Sequence, residues 1–146
     1  MLCHMYLDRR TGTVLVPRTA KTEAGYWLDV EPVKRASVDD PASISHVLRE
    51  AIEHEELIVA SPTRAMFPKP VVLAHSTARS WSDFEKRNVQ FSLLRTPDGR
   101  FRIERYQKAP EGVGVIVDEA ASKTFTQGAS IDEVTAELLS MMRSKQ

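Results

Sequence analysis

The chain has 146 residues, the length of one ordinary domain, and its 42% apolar content suffices to bury a core. Lys+Arg and Asp+Glu each total 20, so the formal net charge is zero, without the basic excess expected of a protein that coats nucleic acid. The single cysteine, Cys3, excludes an internal disulfide and suits a reducing compartment.

From the N-terminus onward, Met1-Leu2-Cys3-His4-Met5-Tyr6 shows no basic region followed by an apolar core, so it does not read as a signal peptide. No apolar run approaches the roughly 20 residues of a membrane span. A cytosolic protein without membrane association is expected. Gly12 then marks a tight turn, because glycine accepts the positive φ such turns need. Val14 and Val16 alternate with their neighbours as in a half-buried strand. Gly25 leads to a further strand at Tyr26–Val30, and a short one is expected at Arg35–Val38. From Ile44 the apolar positions 44, 47, 48, 51 and 52 trace the stripe of an amphipathic helix over 42–55. Asp40-Pro41 offers its cap, with proline in the first turn.

Residues 57–87 read as a connecting segment. Pro62, Pro68 and Pro70 mark loop, and Val71–Ala74 reads as a short buried strand. Ser80 is a natural cap for a short helix in which Trp81 and Phe84 share one face.

The pattern then returns. Shifted by 87, residues 7–56 align without a gap on 94–143, with 11 identical pairs that include Gly12/Gly99, Arg18/Arg105, Gly25/Gly112 and the Ala42-Ser43-Ile44/Ala129-Ser130-Ile131 triplet. Asp98-Gly99 is a strong hairpin signal. Phe101 and Ile103 alternate with Arg100, Arg102 and Glu104, and strands follow at Val113–Val117 and Lys123–Thr126. Ser130-Ile131-Asp132-Glu133 is a capping box opening a helix over 130–143. The expected fold is therefore α+β: a single domain, 1–146, built from an antiparallel β-meander plus helix unit duplicated over 1–56 and 88–143. Both helices should lie on one side of the sheet, because charge on the other strand faces requires cover on one side only.

Candidate chemistry is sparse. No G-x-S-x-G, P-loop or H-E-x-x-H occurs, and one cysteine makes no zinc-finger pattern, so no catalytic residue, metal site or cofactor is expected. His46, Glu50 and His54 recur every four residues on one helix, but the two histidines stand roughly 12 Å apart along it, too far to grip one metal. Cys3 and His4 are adjacent on a strand and point to opposite faces. His75-Ser76 follows the strand expected at 71–74, where loops often carry sites. Arg9, Arg10, Arg18 and Lys21, echoed by Arg95, Arg100, Arg102 and Arg105, make basic strand faces, and Tyr106 could stack a base. Such faces are commonly just solvated, and edge charges also block aggregation. The acids are grouped too: Asp29, Glu31, Asp39 and Asp40 precede the first helix, and Glu53, Glu55 and Glu56 end it, where they oppose the helix dipole without helping the fold.

The stretch from Ser80 onward resembles the immunity proteins of bacterial contact-dependent growth inhibition systems. Ser80-Trp81 with Phe84 opens a short helix, a strand and the Asp98-Gly99 turn follow, and a second strand and a Gly-containing linker lead to Gly128-Ala129-Ser130 before the last helix. The resemblance covers about the C-terminal 65 residues. It implies a non-enzymatic protein that binds and neutralises a cognate toxin domain, often a nuclease, in the cytosol. It implies no individual site residue. Among the charged residues, Asp39, Asp40, Glu53, Glu55 and Glu56 are the expected contacts to a basic toxin. Alternative readings are a small-ligand protein or enzyme using a cleft between the repeats, with His4, His46 or His75 as base, and a nucleic-acid-binding module using the arginine faces.

Overall fold

The computed structural model describes residues 2–66 and 68–144. The elements run β1 (Leu2–Asp8), β2 (Thr13–Thr22), β3 (Trp27–Ser37), α1 (Pro41–Glu53), β4 (Leu57–Val59), two 3₁₀ turns (Arg64–Met66 and Val71–His75), α2 (Trp81–Arg87), β5 (Asn88–Arg95), β6 (Phe101–Lys108), β7 (Val115–Thr124) and α3 (Ile131–Arg143). One sheet holds the strands in the order β3-β2-β1-β5-β6-β7. The α+β architecture follows the sequence expectation, and the order β-β-β-α occurs twice.

The units meet at the sheet centre, where β1 and β5 pair antiparallel from Leu2↔Leu94 to Asp8↔Asn88. This register places Cys3, Met5 and Leu7 opposite Leu93, Phe91 and Val89 on one face, all buried. α1 contributes Ile44, Val47 and Leu48 to the same cluster, and α3 contributes Val134, Leu138, Leu139 and Met142. The two long helices thus share one side of the sheet. Asp40 Oδ1 accepts from the Ser43 backbone N–H at 3.4 Å with Pro41 at the helix start, and Ser130 Oγ accepts from Glu133 N–H at 3.2 Å.

Tyr6 lies between Met5 and Leu7, and Leu15 between Val14 and Val16, so both face the other side. They pack with Val72 and Phe84, while Trp81 stacks on Phe84 at a centroid separation of 5.0 Å. Residues 71–84 therefore cover this second face over the first unit. Over the second unit the face carries polar side chains instead: Arg102 reaches Glu119 at 2.7 Å and Glu104 at 3.5 Å, and Ser92 Oγ donates to the Tyr106 hydroxyl at 3.3 Å.

Three local expectations change. The strands expected at 26–30 and 35–38 are one strand, β3, because a bulge where Pro17 faces Val33 but Arg18 faces Val30 absorbs the intervening residues. In the second unit the strand ends at Thr124 and likewise takes up an irregularity opposite Ile103–Arg105. Val71–His75 is a 3₁₀ turn, not a strand, and buries only Val72, which packs with Tyr6, Leu15 and Phe84. β4 was not expected. It pairs in parallel with Ala20–Thr22 of β2, the part that β1 leaves uncovered, since β1 meets β2 only at Tyr6↔Leu15 and Leu7↔Val14.

The turn glycines separate two costs. Gly12 and Gly112 both have positive φ, 74° and 83°, but a Cβ at Gly12 would lie 2.9 Å from Val38 Cγ2, whereas one at Gly112 meets nothing. Gly112→Ala should cost about 1 kcal/mol from backbone strain alone. Gly12→Ala should cost more, and urea unfolding of the two variants measures the difference.

Candidate functional site

The five acids named from the sequence are all exposed, but they do not form one patch. Asp39 and Asp40 lie before the first turn of α1, and Glu53, Glu55 and Glu56 at its far end. Thirteen residues of helix separate the groups by about 20 Å. Asp40 also has a structural role as the α1 cap. Glu55 and Glu56, in contrast, line the rim of a pocket of about 110 Å³ between the C-terminal end of α1 and the strands β1–β3.

The pocket follows from the packing of α1. Its buried residues are Ile44, Val47 and Leu48, with Ala51 and Ile52 packed against the same core, and the small Ala51 lines the pocket at the C-terminal end of the helix. Leu2, Cys3, Val16 and Val47 make the apolar part, and Trp27 and Pro32 close the β3 side. Cations stand around it: Arg18 Nη2 donates to the Glu55 carbonyl at 3.5 Å, and Lys34 Nζ stands 4.0 Å from Glu50, which also holds His46 Nε2 at 2.6 Å. The carboxylates of Glu55 and Glu56 have no ion-pair partner among the described residues. An apolar recess with two uncommitted carboxylates at its mouth suits a side chain with an aliphatic stem and a cationic head.

Sequence reasoning missed a second constellation. On the other face of the sheet Asp29 Oδ1 stands 2.6 Å from His4 Nδ1, and Asp29 Oδ2 accepts from the Tyr6 hydroxyl at 2.5 Å. Burial pushes the Tyr6 phenol well above its ordinary value, and the neighbouring Asp29 charge adds to this. His4 and Tyr6 are two apart on β1 and so share a face, but Asp29 lies 25 residues away on a strand that β2 separates from β1. No local spacing signals that meeting.

The remaining histidines do not join it. His75 Nε2 stands 2.8 Å from Glu31, which lowers the Glu31 pKa through that hydrogen bond, and the His75 carbonyl accepts from Arg35. His54 ends α1 at the pocket rim. The groove between α1 and α3, where a cleft between the repeats was expected, holds His46, Arg49 and Asp132, with Arg49 and Asp132 paired at 2.8 Å. The arginines do not form one face. Arg18 and Arg105 point toward the helices, Arg102 points away, and Arg100, Arg102 and Arg105 are paired with Asp98, Glu119 and Asp118. No group of three or more potential metal ligands occurs among the described residues. No described helix is long and apolar enough to cross a membrane.

No family model matches the chain, and no curated protein matches it significantly. Among solved structures it is similar to a Neisseria meningitidis protein described as of unknown function, NMB0488. The TM-score is 0.61 at 8% identity, over 97% of this chain and 92% of that one. That likeness concerns the fold.

Cys3 faces the core under the pocket, and burial raises its thiol pKa from 9.0 to about 12. Folding keeps this thiol neutral, so its contribution to stability is full below pH 9 and is lost as pH rises from 9 toward 12. Replacement by Ala should flatten the alkaline loss of stability. At pH 8 a thiol reagent should leave the folded protein unmodified and react once denaturant is added.

Proposed function

We propose that this chain is a non-enzymatic immunity protein that binds and neutralises a cognate toxin domain, a basic nuclease, in the bacterial cytosol. The observation that carries the contact site is the acid-rimmed pocket at the end of α1. Glu55 and Glu56 are exposed and uncommitted, they oppose the helix dipole, and they flank an apolar recess. Such a surface uses charge to speed the encounter and one inserted side chain to supply affinity. Asp39 and Asp40 stand too far along α1 to share that recess and lie outside the proposed contact.

A second reading, a ligand-binding protein or enzyme, has one observation in its favour. Asp29 engages His4 at Nδ1, which leaves Nε2 for a substrate proton. The two readings separate at His4→Gln, which should leave toxin protection intact.

The decisive partner is the product of an adjacent reading frame that ends in a toxin-like domain. Glu55→Gln with Glu56→Gln should slow association with it and flatten the salt dependence of the rate. Stability should shift by less than about 0.5 kcal/mol per site. The Asp39→Asn variant should associate at nearly the parental rate. Parental binding and protection by the Glu55/Glu56 variant would remove this surface as the toxin contact.

A further inference from the structure

A second pocket lies between the two units at the C-terminal end of α3, with charge opposite to that of the acid-rimmed one. Arg105, 87 residues after Arg18, again faces the C-terminal turns of its unit's helix. The cavity there is about 460 Å³ and is lined by Arg9, Arg105, Arg143 and Asp8, with Val38 and Met141 on its apolar side and Phe91 and Met142 beneath. Phe91 and Met142 beneath it are 1% and 7% exposed and belong to the closed core, so the partly exposed Val38 and Met141 give the cavity its apolar wall.

The three guanidiniums are incompletely used. Arg105 is only 9% exposed, and its Nη1 donates to Asp118 at 3.1 Å, while Nε and Nη2 have no acceptor among the described residues. Arg143 spends Nη2 on the Val38 carbonyl at 2.5 Å. The Arg9 side chain has no partner among the described residues. The one carboxylate of the lining, Asp8, is engaged in the β1–β2 turn, where its Oδ1 accepts from Arg10 N–H at 2.8 Å and Thr11 N–H at 3.4 Å. Guanidinium donors left open at the edge of a partly apolar cavity favour an anion with an apolar body, because guanidinium–oxyanion bonds are charge-assisted while the chain leaves water.

We propose that this pocket binds a small amphipathic anion, with an aliphatic chain along Val38 and Met141 and a carboxylate or phosphate head on Arg9, Arg105 and Arg143. The site is independent of the toxin surface, which lies at the end of the other long helix.

Decanoate and decyl phosphate are the probes for the full chain, followed by the methyl resonances of Met141 and Met142 and by thermal shift. Decanol and acetate, lacking the charge and the chain respectively, are the controls. Both anions should bind and perturb those methyls, and decanol should bind at least about tenfold more weakly, the size of one lost charge-assisted hydrogen bond. Whichever anion binds more tightly identifies the head group, carboxylate or phosphate. Arg9→Gln with Arg143→Gln, both exposed positions, should weaken both anions by about tenfold without changing decanol binding or the circular dichroism spectrum. Equal binding of decanol and decanoate, anion binding that survives the double variant, perturbation confined to Trp27 in the other pocket, or no binding would each overturn the assignment.

Discussion

The β1–β5 pairing is the constraint on which the rest of the molecule depends. Each three-stranded unit with one helix could bury only part of its apolar face alone. Antiparallel pairing of the first strands joins the two half-faces, so that Met5 and Phe91 sit across from each other at the centre of one core. A register slip of one residue would turn Cys3, Met5 and Leu7 out of that core and bring His4 and Tyr6 into it. The seven continuous pairs from Leu2 to Asp8 hold the register against such a slip.

Once the units are joined, each long helix must cross its own strands and meet the other helix. Arg49 of α1 and Asp132 of α3 pair at that meeting. α1 buries its middle turns and α3 stays buried as far as Met142, and a cavity lies beside the C-terminal end of each, next to Arg18 of β2 and Arg105 of β6. A shared geometry thus yields two cavities, while the residues at the rims set their chemistry. Glu55 and Glu56 make one acidic, and Arg9 and Arg143 make the other basic.

The opposite face breaks the symmetry. Residues 71–84 fold back over the first unit, where Phe84 meets Tyr6 edge-on and Val72 packs beside Leu15. The second unit has no such cover and presents a layer of paired charges around Tyr106. Placing Tyr6 under Phe84 while its hydroxyl reaches Asp29 leaves that phenol apolar on one side and hydrogen-bonded on the other.

The sequence by itself determined what depends on near neighbours. Ser130 and Ser80 cap helices because the acceptor and the free N–H lie three residues apart, and Gly12 and Gly99 turn the chain because they alone lack a Cβ there. The period-2 and period-3.6 patterns likewise marked which residues face the core. Tertiary structure decided what depends on distance across the sheet. It fused two expected strands into β3 through a bulge, turned Val71–His75 into a 3₁₀ turn, and brought Asp29 to His4 and Tyr6. It also divided the acidic residues: Asp39 with Asp40 and Glu55 with Glu56 looked like one charged group along the chain, yet a rigid helix holds them about 20 Å apart. Periodicity assigns a residue to a face, but only packing decides which faces meet, and a pocket is the space left where two of them fail to touch.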